Sequence, residues 1–287
     1  MRRAIATGGQ LPQWMGDFLP TGACANMNDM PNPPLFIDTH VHLDYLPDAP
    51  AAVRQARSAG VGQWIVPGVR REGWAGLPAL AREIPGVLFA PGLHPQAADQ
   101  WNNEAATELR QLLAAENCVA LGEIGLDRLL DFPAAATQEA AFRGQVQLAV
   151  AAGRPILIHC RRATARLLKI LREERADRVG GVFHAFSGSR ETARSALDLG
   201  FAIGFGGVLT WTNARRAPDV LRALPAEAIV LETDAPDMAP QPHRTSENRP
   251  AWLPLIAGRV AAIRGWSLEE TARITAENAR RVLKIGI

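Results

Sequence analysis

Six histidines stand in the chain, His40, His42, His94, His159, His184 and His243, and five of them fall at the ends of short apolar runs. Asp38, His40 and His42 alternate, a spacing that turns all three side chains to one face of an extended strand. Two imidazoles so placed can bind one cation without moving the backbone. Glu123, in Leu121-Gly122-Glu123-Ile124-Gly125-Leu126-Asp127, reads as closing an apolar strand, where a charge is costly unless something pairs with it. His159 ends the run from Pro155, His184 ends Val182-Phe183-His184, and Asp234 follows the run from Ile229 to Thr233. Each has an ordinary explanation by itself, such as a surface carboxylate or a core histidine bonded to a carbonyl. A metal site at the mouth of a barrel accounts for all of them together. Imidazole nitrogens and carboxylate oxygens without thiolates suit Zn, Mn, Co, Ni or Fe, with Mg possible on an oxygen-richer half. Six such ligands are too many for one four-coordinate zinc with an open position, but they suffice for two divalent metal ions sharing a carboxylate. Glu123, central in strand order, is the natural bridge.

The elements that must position these residues follow a repeating pattern. From Leu35 onward, apolar runs alternate with amphipathic stretches, as in βα units around a parallel sheet. Eight strands are expected, over Leu35–Leu43, Gln63–Pro67, Val87–Leu93, Cys118–Ile124, Pro155–Cys160, Gly181–Phe186, Phe201–Phe205 and Ile229–Thr233. Gly60, Gly153 and Gly200 each stand where a helix stops before a strand, a place suited to the left-handed conformation that closes a helix. After the fourth strand, Phe142, Val146, Ala149 and Val150 recur at helical spacing while Arg143, Gln145 and Gln147 are expected to face away. Residues 35–287 number 253, close to the ~250 of a (β/α)8 barrel. The expected fold is thus α/β, a single TIM-type (β/α)8-like barrel with the metal site at its C-terminal mouth. Residues 1–34 read as an irregular N-terminal extension, with Met15, Met27 and Met30 as later possible starts. A doubly wound open sheet is the rival, but no Gly-x-Gly-x-x-Gly turn follows the first strand.

Composition narrows the surroundings. Against 31 basic residues stand 29 acidic ones, a formal +2 that does not suit a protein coating nucleic acid, so any such contact is local. Cys24, Cys118 and Cys160 are odd in number and widely spaced, which points away from a disulfide framework and toward a reducing cytoplasm. No apolar run approaches the ~20 residues of a membrane span, and the N-terminal stretch lacks the apolar core of a secretory signal. A monomer is the simplest expectation.

Six blocks carry a family resemblance: Phe36-Ile-Asp38-Thr-His40-Val-His42-Leu, Pro91-Gly92-Leu-His94-Pro95, Gly122-Glu123-Ile-Gly125-Leu-Asp127, Pro155-Ile-Leu-Ile-His159-Cys-Arg161, His184-Ala-Phe-Ser187-Gly188-Ser and Leu231-Glu232-Thr-Asp234-Ala-Pro236. Together, from about Phe36 to Leu283, they resemble the TatD family of metal-dependent deoxyribonucleases, within the amidohydrolase-like superfamily. The resemblance implies a TIM barrel, one metal on His40, His42, Glu123 and Asp234, and a second on Glu123, His159 and His184. It also implies nuclease activity on DNA ends or single strands. Arg128-Leu129-Leu130 departs from the family, many of whose members have an aromatic residue there.

The expected chemistry is hydrolysis of a phosphoester by a water activated between two metals, with Glu123 and Asp234 as catalytic residues and Asp234 taking the proton. Arg161 and His94 are candidates to hold phosphate oxygens. Arg161, Arg162, Arg166, Arg215 and Arg216 fall on loops or helix starts at the expected mouth, and Trp211 is placed to stack on a base. Two alternatives stand beside this reading: hydrolysis of a small phosphoester, ester or amide, and a non-catalytic metal-binding scaffold. Related barrels that open lactones often bridge their metals with a modified lysine, and Glu123 in that place argues against this branch.

Overall fold

Short parallel strands, each followed by helix, build this chain, whose computed structural model describes residues 35–286. The strands are β1 Phe36–Asp38, β2 Val61–Pro67, β3 Val87–Ala90, β4 Leu121–Asp127, β5 Ile156–Arg161, β6 Gly181–Phe183, β7 Phe201–Phe205 and β8 Ile229–Leu231. The helices are α1 Ala49–Ser58, α2 Gly76–Glu83, α3 Asn103–Leu113, α4 Ala135–Ala152, α5 Thr164–Glu173, α6 Arg190–Leu197, α7 Arg216–Ala223, α8 Leu253–Arg264 and α9 Leu268–Leu283. All eight expected strands occur, and Gly60, Gly153 and Gly200 have φ of 85°, 65° and 79°, the left-handed backbone expected of them.

Strands β1 to β3 form one parallel ladder and β4 to β8 another. Hydrogen bonds join the two ladders at both seams. Phe89 of β3 pairs with Cys118 just ahead of β4, and at the other seam Thr39 N donates to Leu231 O at 3.0 Å while Asp234 N donates to His40 O at 2.9 Å. The circuit is that of a TIM-like barrel. Alternate strand residues pack against different neighbours. Phe36, Trp64, Ile156, Ile158, Phe183 and Ile203 join the helices in the larger core. Ile37, Ile65, Leu157, Val182, Ala202 and Val230 form a second cluster with Ala276, Ala279 and Leu283 of α9. Burial on both faces explains why the strands read as unbroken apolar runs rather than alternating ones.

Three expectations need correction. The first strand ends at Asp38, not Leu43, so strand alternation does not itself place His40 and His42. Val41 N donating to Ile65 O and His42 N donating to Ala235 O, at 3.1 and 2.9 Å, thread this segment between β2 and the end of β8 instead. Glu123 does not close β4; the strand runs on to Asp127 and Glu123 lies inside it. Gln145 does not face away. It is buried, accepting from Leu93 N at 2.7 Å and donating to Leu93 O at 3.2 Å, because the loop before His94 has no strand partner for those groups. No described helix is long and apolar enough to cross a membrane. Cys118 and Cys160 are free thiols, while Cys24 and the expected extension over residues 1–34 lie outside the described residues.

Candidate metal centre

The strand ends bring His40, His42, Glu123, His159, His184 and Asp234 together, with His94 beside them. His40 Nε2 lies 3.3 Å from Glu123 Oε2 and 3.6 Å from Asp234 Oδ1, and His42 Nε2 lies 3.6 Å from the same Asp234 oxygen. His159 Nδ1 is 2.7 Å from Glu123 Oε1, so the two oxygens of Glu123 face histidines of different strands. His184 Nε2 lies 3.5 Å from Asp234 Oδ1. Three overlapping groups have ligand atoms within 4.8 Å of one another: His40, His42 and Glu123; His40, His184 and Asp234; His94, Glu123 and His159. His184 is therefore grouped differently from the expected set. Its ring stacks on His40 with centroids 3.5 Å apart, while His94 stands edge-on to His159 at 4.3 Å.

Glycine makes this approach possible. A Cβ on Gly125 would lie 1.7 Å from His159 O, and one on Gly204 would lie 2.3 Å from Glu232 Oε2. Only glycine lets β4 and β5 run this close, which is what carries Glu123 to His159.

A layer of buried polar groups holds the donors. Asp38 accepts from Thr233 N and Thr233 Oγ1 at 2.9 and 2.5 Å, tying β1 to the chain beyond β8. Burial pushes its carboxyl up to about 7 against those hydrogen bonds. Glu232 accepts from Ala185 N at 2.6 Å and places Oε2 3.2 Å from His184 Nδ1. Asp127 lies 3.1 Å from His159 Nε2 and is itself fixed by Leu129 N and by Gln138, which accepts from Asp127 N. Asp127 and Glu232 were not among the expected site residues. Asp127 stands four residues past Glu123 in the same strand and Glu232 two residues before Asp234, a spacing visible in the sequence.

Without a bound cation the site divides its charge unevenly. Burial holds the imidazoles of His40 well below their ordinary value and of His42 down at about 4, so both are neutral at pH 7. For His159 burial works in the same direction, but the Glu123 charge and the Asp127 hydrogen bond outweigh it and raise the ring to about 9. For His184 burial is likewise outweighed, by Glu232 and Asp234, and the ring rises to about 10. Burial lifts Asp234 to about 8. Glu123 is held well below the carboxylate range, its burial overcome by His40 and His159.

These donors fit divalent cations. Both ring nitrogens of His40 and Nδ1 of His42 are buried and without a hydrogen-bond partner among the described residues. Such groups cost about 1–3 kcal/mol each when left so. Several ring nitrogens face carboxylate oxygens at 3.3–3.6 Å, beyond the ~2.7–2.9 Å of a charge-assisted hydrogen bond, and so are aimed at shared space rather than at each other.

Around the cluster, His94 Nδ1 accepts from Gln96 N at 3.2 Å, which leaves the proton of the neutral ring on Nε2. Arg161 ends β5, exposed; burial raises the Asp127 carboxyl, and His159, Leu129 N and the Arg161 charge together outweigh it and hold that carboxyl below its ordinary value. Arg166 is bound to Glu139. Trp211 donates to Ala239 O at 2.9 Å and carries the Arg244 guanidinium 4.3 Å above its ring. Beyond Asp127, Leu129 and Phe132 are exposed on the loop after β4.

Known proteins resemble this chain along most of its length. The model of the family described as TatD related DNase matches residues 37–284. The Bacillus subtilis protein named uncharacterized metal-dependent hydrolase YabD is 35% identical over 255 residues, covering 88% of this chain and all of the relative. The Edwardsiella piscicida protein named 3'-5' ssDNA/RNA exonuclease TatD is 38% identical over 249 residues, covering 83% of this chain and 94% of the relative. The crystal structure of the TatD homologue YjjV from Escherichia coli superposes with a TM-score of 0.82 at 34% identity, over 87% of this chain and 98% of its own. The chain belongs to the TatD related DNase family of metal-dependent hydrolases.

Proposed function

We propose that this protein is a deoxyribonuclease that hydrolyses phosphodiester bonds with two divalent metal ions, residues 35–287 forming its catalytic domain. His40, His42, Glu123 and Asp234 would hold one ion and Glu123 with His159 a second, His184 being a further donor on the Asp234 side. The observation that carries this reading is the convergence of buried nitrogens and carboxylates that satisfy one another poorly. Bound there, divalent ions supply Lewis acidity, lowering the pKa of water and offsetting charge on the attacked phosphate.

The chain's own residues do the rest. Glu123 presents one oxygen to His40 and the other to His159, and is the carboxylate to be shared. Asp234 makes no side-chain hydrogen bond among the described residues, which leaves Oδ2 to accept the proton of the attacking water. His94, with its proton on Nε2, donates to a phosphate oxygen, and Arg161 meets the strand at the rim. The exonuclease name carried by the 38% identical relative supports a single-stranded polynucleotide, DNA or RNA, as the substrate class.

The test is cleavage of labelled single-stranded DNA and RNA by purified protein stripped of metal and reloaded with Mg, Mn, Co or Zn. Metal-dependent cleavage that Glu123→Gln abolishes is expected. Near-native turnover in that variant would sink the shared-carboxylate model, and cleavage of small esters alone would replace the nuclease reading.

A further inference from the structure

The arginines on the loops and helices that follow β4, β5 and β7 are of two kinds. Arg128 and Arg166 are both bound to Glu139, and Arg143 to Glu173 and Glu174. The side chains of Arg162 and Arg216 make no ion pair or hydrogen bond among the described residues. Both line one cavity of about 320 Å³, at the small end of the ~300–1,000 Å³ typical of ligand pockets. It opens between the chain segments that follow β5, β6 and β7, and His184 forms part of its wall.

The lining selects for an anion. Among the described residues no Asp or Glu lines the cavity, while Ser187, Ser189 and Thr192 bring hydroxyls to it. Helices α5 and α7 begin at the cavity, at Thr164 and Arg216, and neither has a side chain among the described residues capping its first turn. The leading N–H groups of α5, and those of Arg216 and Ala217 in α7, whose third residue Pro218 has none, are thus left for another acceptor. Arg162 has φ of 51°, a left-handed backbone uncommon for a residue with a side chain and concentrated at ligand-binding positions. Two unpaired guanidinium forks beside hydroxyl donors match the oxygens of a phosphate.

We propose that this cavity is a phosphate subsite, receiving the phosphate adjacent along a polynucleotide to the one being cleaved. His184 belongs both to the cavity wall and to the metal centre, so an anion in the cavity lies next to the reacting group. The assignment of the bound phosphate to a substrate strand rests on the nuclease reading; the anion site itself does not.

The test compares three dinucleotides, one with free ends, one with a 5′-phosphate and one with a 3′-phosphate, on the native enzyme and on the double variant Arg162→Gln, Arg216→Gln. In the native enzyme one of the terminal phosphates should lower KM roughly tenfold, the worth of a charge-assisted contact at a partly solvated site. In the double variant that advantage should shrink to less than about twofold. An advantage that survives unchanged, or that the native enzyme never shows, overturns the proposal. The Lys pair at the same positions keeps the charges, should recover part of the advantage, and replaces the Gln pair if that variant folds poorly.

Calorimetric binding to the metal-free protein gives a readout independent of turnover. Arginine-dependent tightening by a terminal phosphate, without cleavage of any polynucleotide, would leave the anion site standing and remove the nuclease reading. Inorganic phosphate binding as tightly as the phosphorylated dinucleotide, and lost in the double variant, would mark a free-phosphate site and overturn the substrate assignment.

Discussion

Loading the site with divalent metal should release about three protons at pH 7. The number follows from the metal-free geometry. His159 is clasped between Glu123 and Asp127 and raised to about 9, His184 lies against Glu232 and Asp234 and is raised to about 10, and burial lifts Asp234 to about 8. All three hold protons at pH 7, whereas His40 and His42 are kept neutral by burial and release none. Imidazole and carboxylate ligands bind metal only when deprotonated. Because the three values lie above 7, affinity rises with pH, by roughly tenfold per unit for each proton displaced, until the pH passes Asp234 at about 8. The sites interact, so the measured steps belong to the cluster rather than to single residues. Titrating Mn or Zn at pH 7 into metal-free protein, in buffers of different ionisation enthalpy, gives the proton count from the slope of heat against that enthalpy. Release of fewer than about one proton would mean that imidazolium cations do not stand in for metal, and would refute the charge distribution argued above.

Other perturbations reach the layer behind the ligands. Glu232→Gln keeps an acceptor for Ala185 N but removes the charge beside His184; metal affinity should fall about tenfold to a hundredfold, and the His184 ring should titrate at lower pH by NMR. Unchanged affinity would make Glu232 a packing residue only. Gln145→Leu strands both peptide groups of Leu93 and should destabilise the fold by about 2–4 kcal/mol in urea unfolding, a loss under about 0.5 kcal/mol arguing that those groups find other partners. Gly125→Ala would put a methyl 1.7 Å from His159 O; a destabilisation of roughly 3 kcal/mol or more is expected, and near-native stability would show that β4 and β5 can part without harm.

Much of the architecture was legible because parallel barrel strands are buried on both faces and helices between them end at glycine. Gly153, at φ of 65°, closes α4 where the pattern placed a stop. The candidate cluster was legible for a related reason: ionisable residues that interrupt apolar runs need partners, and His159, His184 and Asp234 found them in one place. What the chain hid was set by long-range geometry. Strand periodicity could not foresee that β1 stops at Asp38, because backbone bonds to Ile65 and Ala235, distant in sequence, shape the next residues. Gln145 looked like a surface residue since helical spacing cannot tell that a loop lies over it. The stacking of His184 on His40 depends on how far β6 reaches, which no local pattern encodes.

The most direct test of the central claim, that these donors exist to hold two cations around one carboxylate, is anomalous diffraction from crystals soaked in Mn or Zn. Two ion peaks with Glu123 between them, one beside His40, His42 and Asp234 and the other beside His159, are the expected result. A single peak away from Glu123, or none at saturating metal, would contradict it.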